Sequence, residues 1–368
     1  MRVLIFSLSY IPLVGGAEVA IKEITERTPP DEIEFDMVTL RFSSAHPKLE
    51  KIGNINIHRI GGGLGYFSKV LFTIQAGIWA SKRKYDIHWA MMTYMLFPVV
   101  LSRIFGNRTP YILTLQDGDP FPHVFNRLRI RIFRPLLTYG FKNVTKVQAI
   151  SNFLADWAKQ MGYKGNTFVI PNGVDVGRFL NPKSRILNPD NVVLITTSRL
   201  VEKNGVGDVI EAMRFLPGSV RLRILGSGPL EKGLKVKSEK LKVDNRVEFL
   251  GHVPQEEIPK HLWEADIFIR PSLSEGMGNS FIEAMAAGLP VIGTPVGGIV
   301  DFLRDGETGL FVEIKNPRLI SFQVQKLISD RVLHDKLIIN AKRMVAEKYD
   351  WDFIANEMKS RVFDKVEI

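Results

Sequence analysis

The sequence predicts an α/β protein with two doubly wound parallel sheets that face each other across a cleft. Its 368 residues, 45% of them hydrophobic, are enough for two domains that each bury a core. Short apolar runs alternate with helical patterns, and this alternation occurs in two series of similar length. Glycine-rich loops follow several of the runs, where parallel sheets collect ligands. We therefore expect domains over residues 1–170 and 171–349.

The first series predicts seven strands separated by five helices. The opening run is short enough for a buried parallel strand. It could also begin a secretory signal, although Pro12 and the Gly15-Gly16 pair interrupt it. The predicted strands are Arg2–Ser9, Phe35–Leu40, Ile55–Ile60, Ile87–Ala90, Tyr111–Leu115, Lys146–Ile150 and Thr167–Ile170. The predicted helices are Ala17–Arg27, Phe67–Lys82, Phe97–Ile104, Asn126–Tyr139 and Ser151–Met161.

The second series begins after the segment PNGVD. Its apolar runs again alternate with helical patterns, and the chain after Pro317 is expected to be helical to its end. The predicted strands are Val192–Ser198, Arg221–Leu225, Arg246–Leu250, Ile267–Arg270, Val291–Thr294 and Leu310–Phe311. The predicted helices are Val206–Phe215, Leu230–Leu241, Gln255–Trp263 and Phe281–Ala287.

The formal charge of +10 lies almost wholly in the first half of the chain. Residues 1–170 carry 21 Lys and Arg against 12 Asp and Glu, whereas the remainder carries 28 against 27. Segment 127–137 alternates arginines with large aliphatic residues, which suits an anionic lipid surface or, equally, a partly buried helix with solvated arginines. A nucleic-acid-binding protein would also be basic, but no aromatic platform or recognition motif accompanies these arginines. The absence of cysteine excludes disulfides and thiolate metal sites and fits a reducing cytosol.

Two loops carry features that suit phosphate. Gly15 and Gly16 precede a helix whose free N–H groups favour an anion, although such a pair is often only a turn. The motif is not G-x-G-x-x-G, which argues against a nicotinamide-dependent dehydrogenase. Arg199 and Lys203 follow the first strand of the second series, where Arg could fork two oxygens of a diphosphate and Lys act as a point charge. Two solvated surface cations are the alternative for this pair.

Two further loops expose backbone with little side-chain obstruction. Gly226 and Gly228 separate a strand from a helix, and a flat base could lie there, although turn chemistry alone would explain both glycines. The segment with His252 and Val253 forms a similar strand-end loop.

The stretch SEGMGNSFIEAMAAGLPVIGT brings two glutamates to one strand-end loop. Its glycines allow a tight fold with N–H groups directed at a ligand, and Asn279 or Ser280 is expected to cap the next helix. Glu275 before the loop and Glu283 in the helix's first turn can each accept hydrogen bonds from sugar hydroxyls. Two such carboxylates around an anion-binding loop match a sugar joined to a nucleotide through phosphates. A capping glutamate and a surface glutamate are the structural alternative.

These motifs resemble glycosyltransferase family 4, the retaining nucleotide-sugar transferases of GT-B fold. The resemblance rests on Glu275 and Glu283 as the E-x7-E pair and on the segments SRLVEKNGV, IPNGVD, GSGP, FLGHVP and GGAE, which occur in the family's order over nearly the whole chain. The tail YDWDFIANEMKSRV resembles the terminal helix of the family. This resemblance implies that helix 350–368 packs back on the first domain.

The resemblance implies roles for individual residues in a transferase that takes its sugar from a nucleotide. Arg199 and Lys203 would bind the donor diphosphate, and Glu283 the ribose hydroxyls. Glu275 would face the transferred sugar, and Gly15 and Gly16 would lie near the phosphates and the acceptor. The other implied donor contacts are Gly226, Gly228, His252, Val253 and the backbone of Gly276, Met277, Gly278, Asn279 and Ser280.

One position departs from the family pattern. Gln116 stands at the end of strand YILTL, where the family often has a histidine that touches the donor sugar. Glutamine can bond a hydroxyl but cannot titrate. Asp117 and Asp119 therefore become candidate acceptor contacts, and His123 a possible substitute or a plain surface histidine.

The expected reaction is transfer with retention, without a metal or other cofactor, to a glycan or lipid-linked acceptor in cell-surface polysaccharide or glycolipid synthesis. Asp117-Gly118-Asp119 fits the D-x-D pattern of metal-using transferases formally but lies outside the expected diphosphate site. A nucleotide-sugar 2-epimerase of the same fold is the alternative enzyme. We expect a cytoplasmic location, with peripheral attachment to the inner face of the cell membrane left open.

Overall fold

The computed structural model describes residues 1–62, 65–182 and 187–364, and it leaves the side chains of Tyr66, Leu128 and Arg129 undescribed. The chain divides into two compact units. One consists of Met1–Asn172 together with the segment from Trp351, and the other is Gly173–Asp350. The sequence predicts this division between residues 170 and 171 and the start of the terminal helix at residue 350.

The first unit is built on an eight-stranded sheet of order β3-β4-β2-β1-β5-β6-β7-β8. All pairs are parallel except β3 with β4, which is antiparallel. The short edge strand β3 was not predicted, because its alternation of exposed and half-buried residues lacks an apolar run. The strands are β1 Arg2–Phe6, β2 Glu34–Leu40, β3 Leu49–Ile52, β4 Ile55–Ile60, β5 Ile87–Met91, β6 Tyr111–Leu115, β7 Lys146–Ala149 and β8 Thr167–Val169.

Helices connect the strands of the first sheet, and its central strands β5, β6 and β7 are buried on both faces. The helices are α1 Gly16–Glu26, α2 Tyr66–Ser81, α3 Leu96–Ile104, α4 Phe121–Phe125, α5 Leu128–Arg131, α6 Arg134–Asn143 and α7 Asn152–Gln160, with a 3₁₀ turn at Thr93–Met95. Ser151 caps α7 through the N–H group of Leu154, as expected.

The prediction of one helix over Asn126–Tyr139 was wrong, because two separate helices, α5 and α6, begin in this region and α6 continues to Asn143. Asn126 ends α4, and Pro135 lies in the first turn of α6. Proline has no N–H group and is tolerated only in a helix's first turn, so it forces a new start there. The break leaves Ile132 and Phe133 on an exposed turn.

The second unit is built on a six-stranded, all-parallel sheet of order β11-β10-β9-β12-β13-β14. Its strands are β9 Val192–Thr197, β10 Val220–Leu225, β11 Val247–Gly251, β12 Ile267–Arg270, β13 Val291–Gly293 and β14 Leu310–Phe311. Its helices are α8 Val176–Phe179, α9 Val206–Ala212, α10 Glu231–Lys240, α11 Ile258–Trp263, α12 Asn279–Ala287, α13 Pro317–Ser329 and α14 Arg331–Lys348, with 3₁₀ turns at Glu202–Asn204, Met213–Phe215, Asp244–Arg246 and Gly297–Asp301.

The terminal segment packs into the core of the first unit. Helix α15 (Trp351–Glu357) continues into a π-helical stretch, Met358–Phe363. The ring of Phe363 lies 5.2 Å from that of Trp89 and 6.1 Å from that of Phe35. Residues 365–368 of the predicted terminal helix lie outside the described residues.

Over the described ranges 1–62, 65–182 and 187–364, none of the helices combines the length and the apolar character needed to cross a bilayer.

Candidate functional site

The loops at the carboxyl edge of the second sheet hold one another through backbone hydrogen bonds. Strands β10, β9, β12 and β13 are neighbours, so the loops that follow them lie side by side. Leu200 N–H donates to the Ser227 carbonyl at 3.0 Å, and Leu273 N–H donates to the Lys203 carbonyl at 2.7 Å. These bonds place the predicted segments with Arg199, Gly226 and Glu275 on one continuous surface.

Close backbone approach, rather than ligand access alone, requires glycine in these loops. A Cβ on Gly226, whose φ is +135°, would lie 1.9 Å from the Ser198 carbonyl oxygen. A Cβ on Gly297, with φ +55°, would lie 1.8 Å from the Glu275 carbonyl oxygen. Gly228 likewise has no room for a side chain beside Leu200. The glycines therefore lock the loop after β9 to the loop after β10, and the loop after β12 to that after β13.

The two predicted diphosphate-binding cations differ in exposure. Arg199 is exposed, and among the described residues its guanidinium has no hydrogen-bonding or ionic partner. Asn204 donates instead to the Arg199 carbonyl at 2.6 Å, which holds the backbone of the turn. Lys203 is half-buried in the following 3₁₀ turn. A guanidinium that is exposed and unpaired at a strand's carboxyl end is available to an anionic ligand.

A buried arginine lies beneath the E-x7-E loop. Arg270, the last residue of β12, is 7% exposed and forms an ion pair with Glu275. It also donates to the Ser280 hydroxyl at 2.7 Å and to the Ser272 hydroxyl at 3.2 Å. One side chain thus ties Glu275 to the start of α12 and to the end of its own strand, so Arg270 positions the predicted sugar-facing carboxylate.

The start of α12 differs from the sequence prediction in two respects. Gly278, with φ +100°, is the N-cap of α12, whereas Asn279 or Ser280 was expected to cap it. Asn279 opens the helix, and Ser280 accepts a bond from Arg270 instead. Glu283 consequently lies beyond the first turn rather than in it. The left-handed conformation that the tight loop needs at position 278 favours glycine, which explains the shift. Gly276, Met277 and Gly278 are buried.

Glu283 is a half-buried carboxyl without a hydrogen-bonding partner among the described residues. Burial raises the pKa of Glu283 from 4.5 to about 7, and the nearby charges of Arg178 and Arg270 oppose that rise. Arg178 belongs to α8, where its guanidinium also donates to the Gln255 carbonyl. Two arginines from distant parts of the chain therefore bias this carboxyl toward its charged form.

The remaining predicted donor contacts, His252 and Val253, follow β11. His252 is exposed and Val253 is half-buried. Gly251, at the end of the strand, accepts a 2.7 Å bond from Gly226 N–H, so this loop joins the same surface as the loop after β10.

In the first unit, Glu18 organises the predicted Gly15-Gly16 turn. Gly15 is the N-cap of α1, and its N–H group donates to the Glu18 carboxylate at 2.9 Å. Ser9, beyond the end of β1, donates to the other oxygen of the same carboxylate at 2.6 Å. The GGAE motif therefore joins the end of the first strand to the amino end of α1, which begins at Gly16 rather than at Ala17.

Gln116 forms a reciprocal amide pair with Asn172 of the IPNGVD motif. Its Nε2 donates to the Asn172 side-chain oxygen at 3.0 Å, and the Asn172 amide donates back at 3.3 Å. Both side chains are therefore oriented by each other. A histidine could not replace both hydrogen bonds of Gln116, because each ring nitrogen makes one bond and they point apart.

The two aspartates near Gln116 differ. Asp117 is buried, accepts a 2.7 Å bond from the Thr93 hydroxyl, and has its pKa raised by burial. It therefore stabilises the turn after β5. Asp119 is half exposed, and its carboxylate lies 3.6 Å from the His123 ring. Of the two, Asp119 is the more accessible to a ligand.

No group of three or more His, Cys, Asp or Glu side chains arranged to hold a metal ion occurs in the described part of the chain.

The fold and these loops match a known class of transferase. Residues 14–178 match the family model "Glycosyltransferase Family 4", and residues 178–344 match "Glycosyl transferases group 1". The chain belongs to glycosyltransferase family 4, and it is a glycosyltransferase of GT-B fold, which confirms the predicted family, fold class and enzyme class.

Individual relatives extend over most of the chain. The uncharacterized glycosyltransferase MJ1607 of Methanocaldococcus jannaschii is 27% identical and covers 97% of this chain and 96% of its own. The alpha-monoglucosyldiacylglycerol synthase of Acholeplasma laidlawii is 26% identical over 87% of this chain and 86% of its own. The crystal structure of Anabaena HepE in complex with UDP-glucose has a TM-score of 0.78 at 21% identity and covers 98% of each chain.

The site predicted from the sequence does not include three residues that belong to these clusters, Arg270, Arg178 and Asn172. Arg270 carried a usable signal, since a charged residue ends the otherwise apolar strand IFIR and a buried charge requires a partner. Arg178 and Asn172 carried no such signal, because their partners are distant in sequence.

The raised pKa of Glu283 predicts a pH dependence of donor binding. Only the charged carboxylate is a pure acceptor for hydroxyl groups, so the apparent donor KM should fall as pH rises through about 7. Glu283→Gln should bind donor less tightly and lose this dependence. The measurement is donor KM against pH for both proteins, and a wild-type profile without an inflection in this region would contradict the prediction.

The same group has an opposite effect on folding. Its pKa is higher in the folded protein than its ordinary value of 4.5, so its contribution to stability is present at low pH and is lost as pH rises through about 7. A denaturation series over this range, with Glu283→Gln as the non-titrating control, separates this effect from donor binding.

Proposed function

We propose that the protein is a retaining glycosyltransferase that moves a sugar from a nucleoside-diphosphate sugar to a glycan or lipid-linked acceptor. The second unit would bind the donor, and the first would bind the acceptor. Relatives named for polysaccharide and glycolipid synthesis support this assignment, as does the UDP-glucose bound by the structurally similar HepE.

The observation that carries the proposal is the set of charged groups on one loop surface. Arg199 presents a guanidinium that is unpaired within the described residues. Glu275 contributes a carboxylate from the loop before α12, and Glu283 contributes one from within that helix. A sugar nucleotide has the complementary groups, since its diphosphate is anionic and its ribose and sugar carry hydroxyls. The amino ends of α9 and α12 also direct their positive dipole ends toward the carboxyl edge of this sheet.

In the proposed reaction, the bond from the anomeric carbon to the diphosphate oxygen breaks while a bond from the same carbon to the acceptor oxygen forms on the same face. The leaving diphosphate takes the acceptor's proton. Arg199 and Lys203 would stabilise the charge that grows on the leaving group, and this stabilisation would replace that of a metal ion.

Proton NMR of the fresh product would report the anomeric configuration, and inversion would contradict the mechanism. If the transfer needs no metal ion, the enzyme should keep its full transferase activity after treatment with a metal chelator.

The acceptor is proposed to be membrane-proximal. Ile132 and Phe133 are 70% and 51% exposed on the turn before α6, and Arg131 beside them is exposed. This combination supports contact between segment 127–137 and anionic lipid from the cytoplasmic side. The side chain of Arg129, which belongs to the same predicted segment, lies outside the described residues.

A donor screen tests the proposal directly. UDP, GDP and ADP sugars should be compared by thermal shift, because a ligand at 100 times its Kd adds about 2.7 kcal/mol of stability. One nucleotide series should stabilise the protein, and its sugar should be transferred or slowly hydrolysed. Stabilisation by none of the three series would contradict a nucleotide-sugar donor.

Glu275 offers the sharpest variant for that assay. Glu275→Gln should lower kcat on the order of 10²-fold, because it removes the negative charge that would face the transferred sugar while keeping the shape of the side chain. Glutamine is preferable to alanine, which would leave the buried charge of Arg270 without its ionic partner Glu275. Glu264→Gln changes an exposed carboxylate of the same unit and should leave kcat unaltered. Wild-type turnover in Glu275→Gln would exclude a direct role for this carboxylate.

A further inference from the structure

Helix α2 carries apolar side chains on two opposite faces. Phe72, Ala76 and Ala80 are fully buried against the first sheet. Five large apolar side chains on the outer face are between 38% and 75% exposed, and we call them the α2 face: Phe67, Val70, Leu71, Ile74 and Ile78. Their spacing follows the helical repeat, so they form one continuous stripe over the length of the helix.

The α2 face is not the ordinary scatter of exposed apolar residues. A helix on the surface of a globular protein normally has charged residues on its outer side. Within Tyr66–Ser81 the only charged residue is Lys69. A contiguous apolar stripe of this kind marks an interaction surface for another protein or for a membrane.

Cations cluster where the α2 face ends. Asn107 donates to the carbonyls of Ala80 and Arg83 at 3.1 and 3.2 Å, which brings the turn after α3 beside the end of α2. Ile104 and Phe105 of that turn are exposed and extend the apolar surface. Four exposed cations surround this point, and we call them the basic end: Lys82, Arg83, Lys84 and Arg108.

The stretch of sequence that contains α2 and the basic end has few acidic residues to offset these cations. Residues 51–155 contain 14 Lys and Arg but only three acidic residues, Asp86, Asp117 and Asp119. Asp117 is buried, whereas the exposed Asp86 carboxylate accepts a 2.7 Å bond from the backbone N–H group of Arg2. Cations therefore greatly outnumber carboxylates in this part of the chain, which includes α2 and the basic end.

We propose that the α2 face and the basic end dock on the surface of an anionic lipid bilayer. A surface helix with an exposed apolar face can lie in the plane of the interface, with its apolar side chains below the headgroups and the cations at its end among them. Charge argues against a second copy of the chain as the partner, because two equally basic surfaces would repel each other. The α2 face and the basic end are remote in sequence from the proposed donor loops, and their binding to lipid does not depend on the donor's identity.

The layer of helices connects this surface with segment 127–137. A Cβ on Gly77 of α2 would lie 2.8 Å from Leu101 of α3, and one on Gly140 of α6 would lie 3.2 Å from Val100. Leu101 and Val100 lie on different sides of α3, so α3 is packed between α2 and α6. The α2 face and the exposed turn before α6 thus belong to one helical layer. Of these two contacts with lipid, α2 is the larger.

Vesicle flotation without donor or acceptor tests the proposal. Wild-type protein should float with vesicles of phosphatidylcholine mixed with phosphatidylglycerol and bind at least tenfold less to phosphatidylcholine alone. Leu71→Gln/Ile74→Gln/Ile78→Gln keeps good helix formers and should lower binding at least tenfold. Lys82→Gln/Lys84→Gln should remove the preference for anionic vesicles. Donor-binding thermal shift of each variant should match wild type, so failure here is distinguishable from failure of the proposed function.

The matched control is Val332→Gln/Ile339→Gln, which removes two apolar side chains of α14 that are 80% and 58% exposed. It should bind vesicles as wild type does. Equal binding by the α2 triple variant, or no wild-type binding to anionic vesicles, would overturn the proposal. It would also be overturned if sedimentation showed self-association that the triple variant abolishes, since the α2 face would then contact a second copy.

Discussion

Arg199→Ala is expected to lower kcat by about 10²–10³-fold while leaving the fold intact. Arg199 is exposed and makes no side-chain bond within the described residues, so its removal should change the free energy of unfolding by less than about 0.5 kcal/mol. Its expected role appears only as charge develops on the leaving diphosphate, and loss of one such group has an effect of this size. Steady-state kinetics with saturating donor provide the measurement.

Two further variants sharpen this test. Arg199→Lys keeps the charge but loses the two-pronged geometry, so it should recover part of the lost rate. Arg221→Ala removes another exposed arginine, which lies within β10 rather than in a strand-end loop, and should leave kcat unchanged. Retention of wild-type kcat by Arg199→Ala would remove this arginine from the proposed mechanism.

Arg270→Met is expected to lower the free energy of unfolding of the second unit by about 3–5 kcal/mol. Arg270 and Glu275 form a largely buried ion pair, with side chains only 8% and 15% exposed. Removing one partner leaves the other charge buried without compensation, and the hydrogen bonds to Ser272 and Ser280 are lost as well. Urea unfolding, with the transitions of the two units resolved, measures the change.

A double-mutant cycle separates the ion pair from packing. Arg270→Met/Glu275→Gln should be more stable than Arg270→Met, because the uncompensated carboxylate is removed. Arg223→Met is the control, since Arg223 pairs with Glu248 and Glu264 at the surface and should contribute about 0–1 kcal/mol. If Arg270→Met cost no more than this control, Arg270 could not be what positions the loop.

The spacing of apolar residues along the sequence was sufficient to predict the helices and strands in which that spacing is regular. The apolar runs of β1, β2, β5 and β9 and the spacing in α1 and α2 predicted these elements to within a few residues. Periodicity failed over Asn126–Tyr139, where a helical pattern continued through Pro135 although the backbone could not. It also failed for β3, which has no apolar run and is a strand only because β4 lies beside it.

The sequence by itself determined the alternation of strands and helices, the family, and the strand-end loops where the candidate donor-binding residues lie, because each of these is encoded by neighbouring residues. Only the tertiary structure decided the partners of those residues. The folded loop brings Arg270 to Ser280, and Arg178 approaches Glu283 from a helix more than a hundred residues earlier. Gln116 follows β6 and meets Asn172, which follows β8, with β7 between the two strands. Burial, ion pairing and the pKa of Glu283 depend on such distances in space, which periodicity along the chain does not contain.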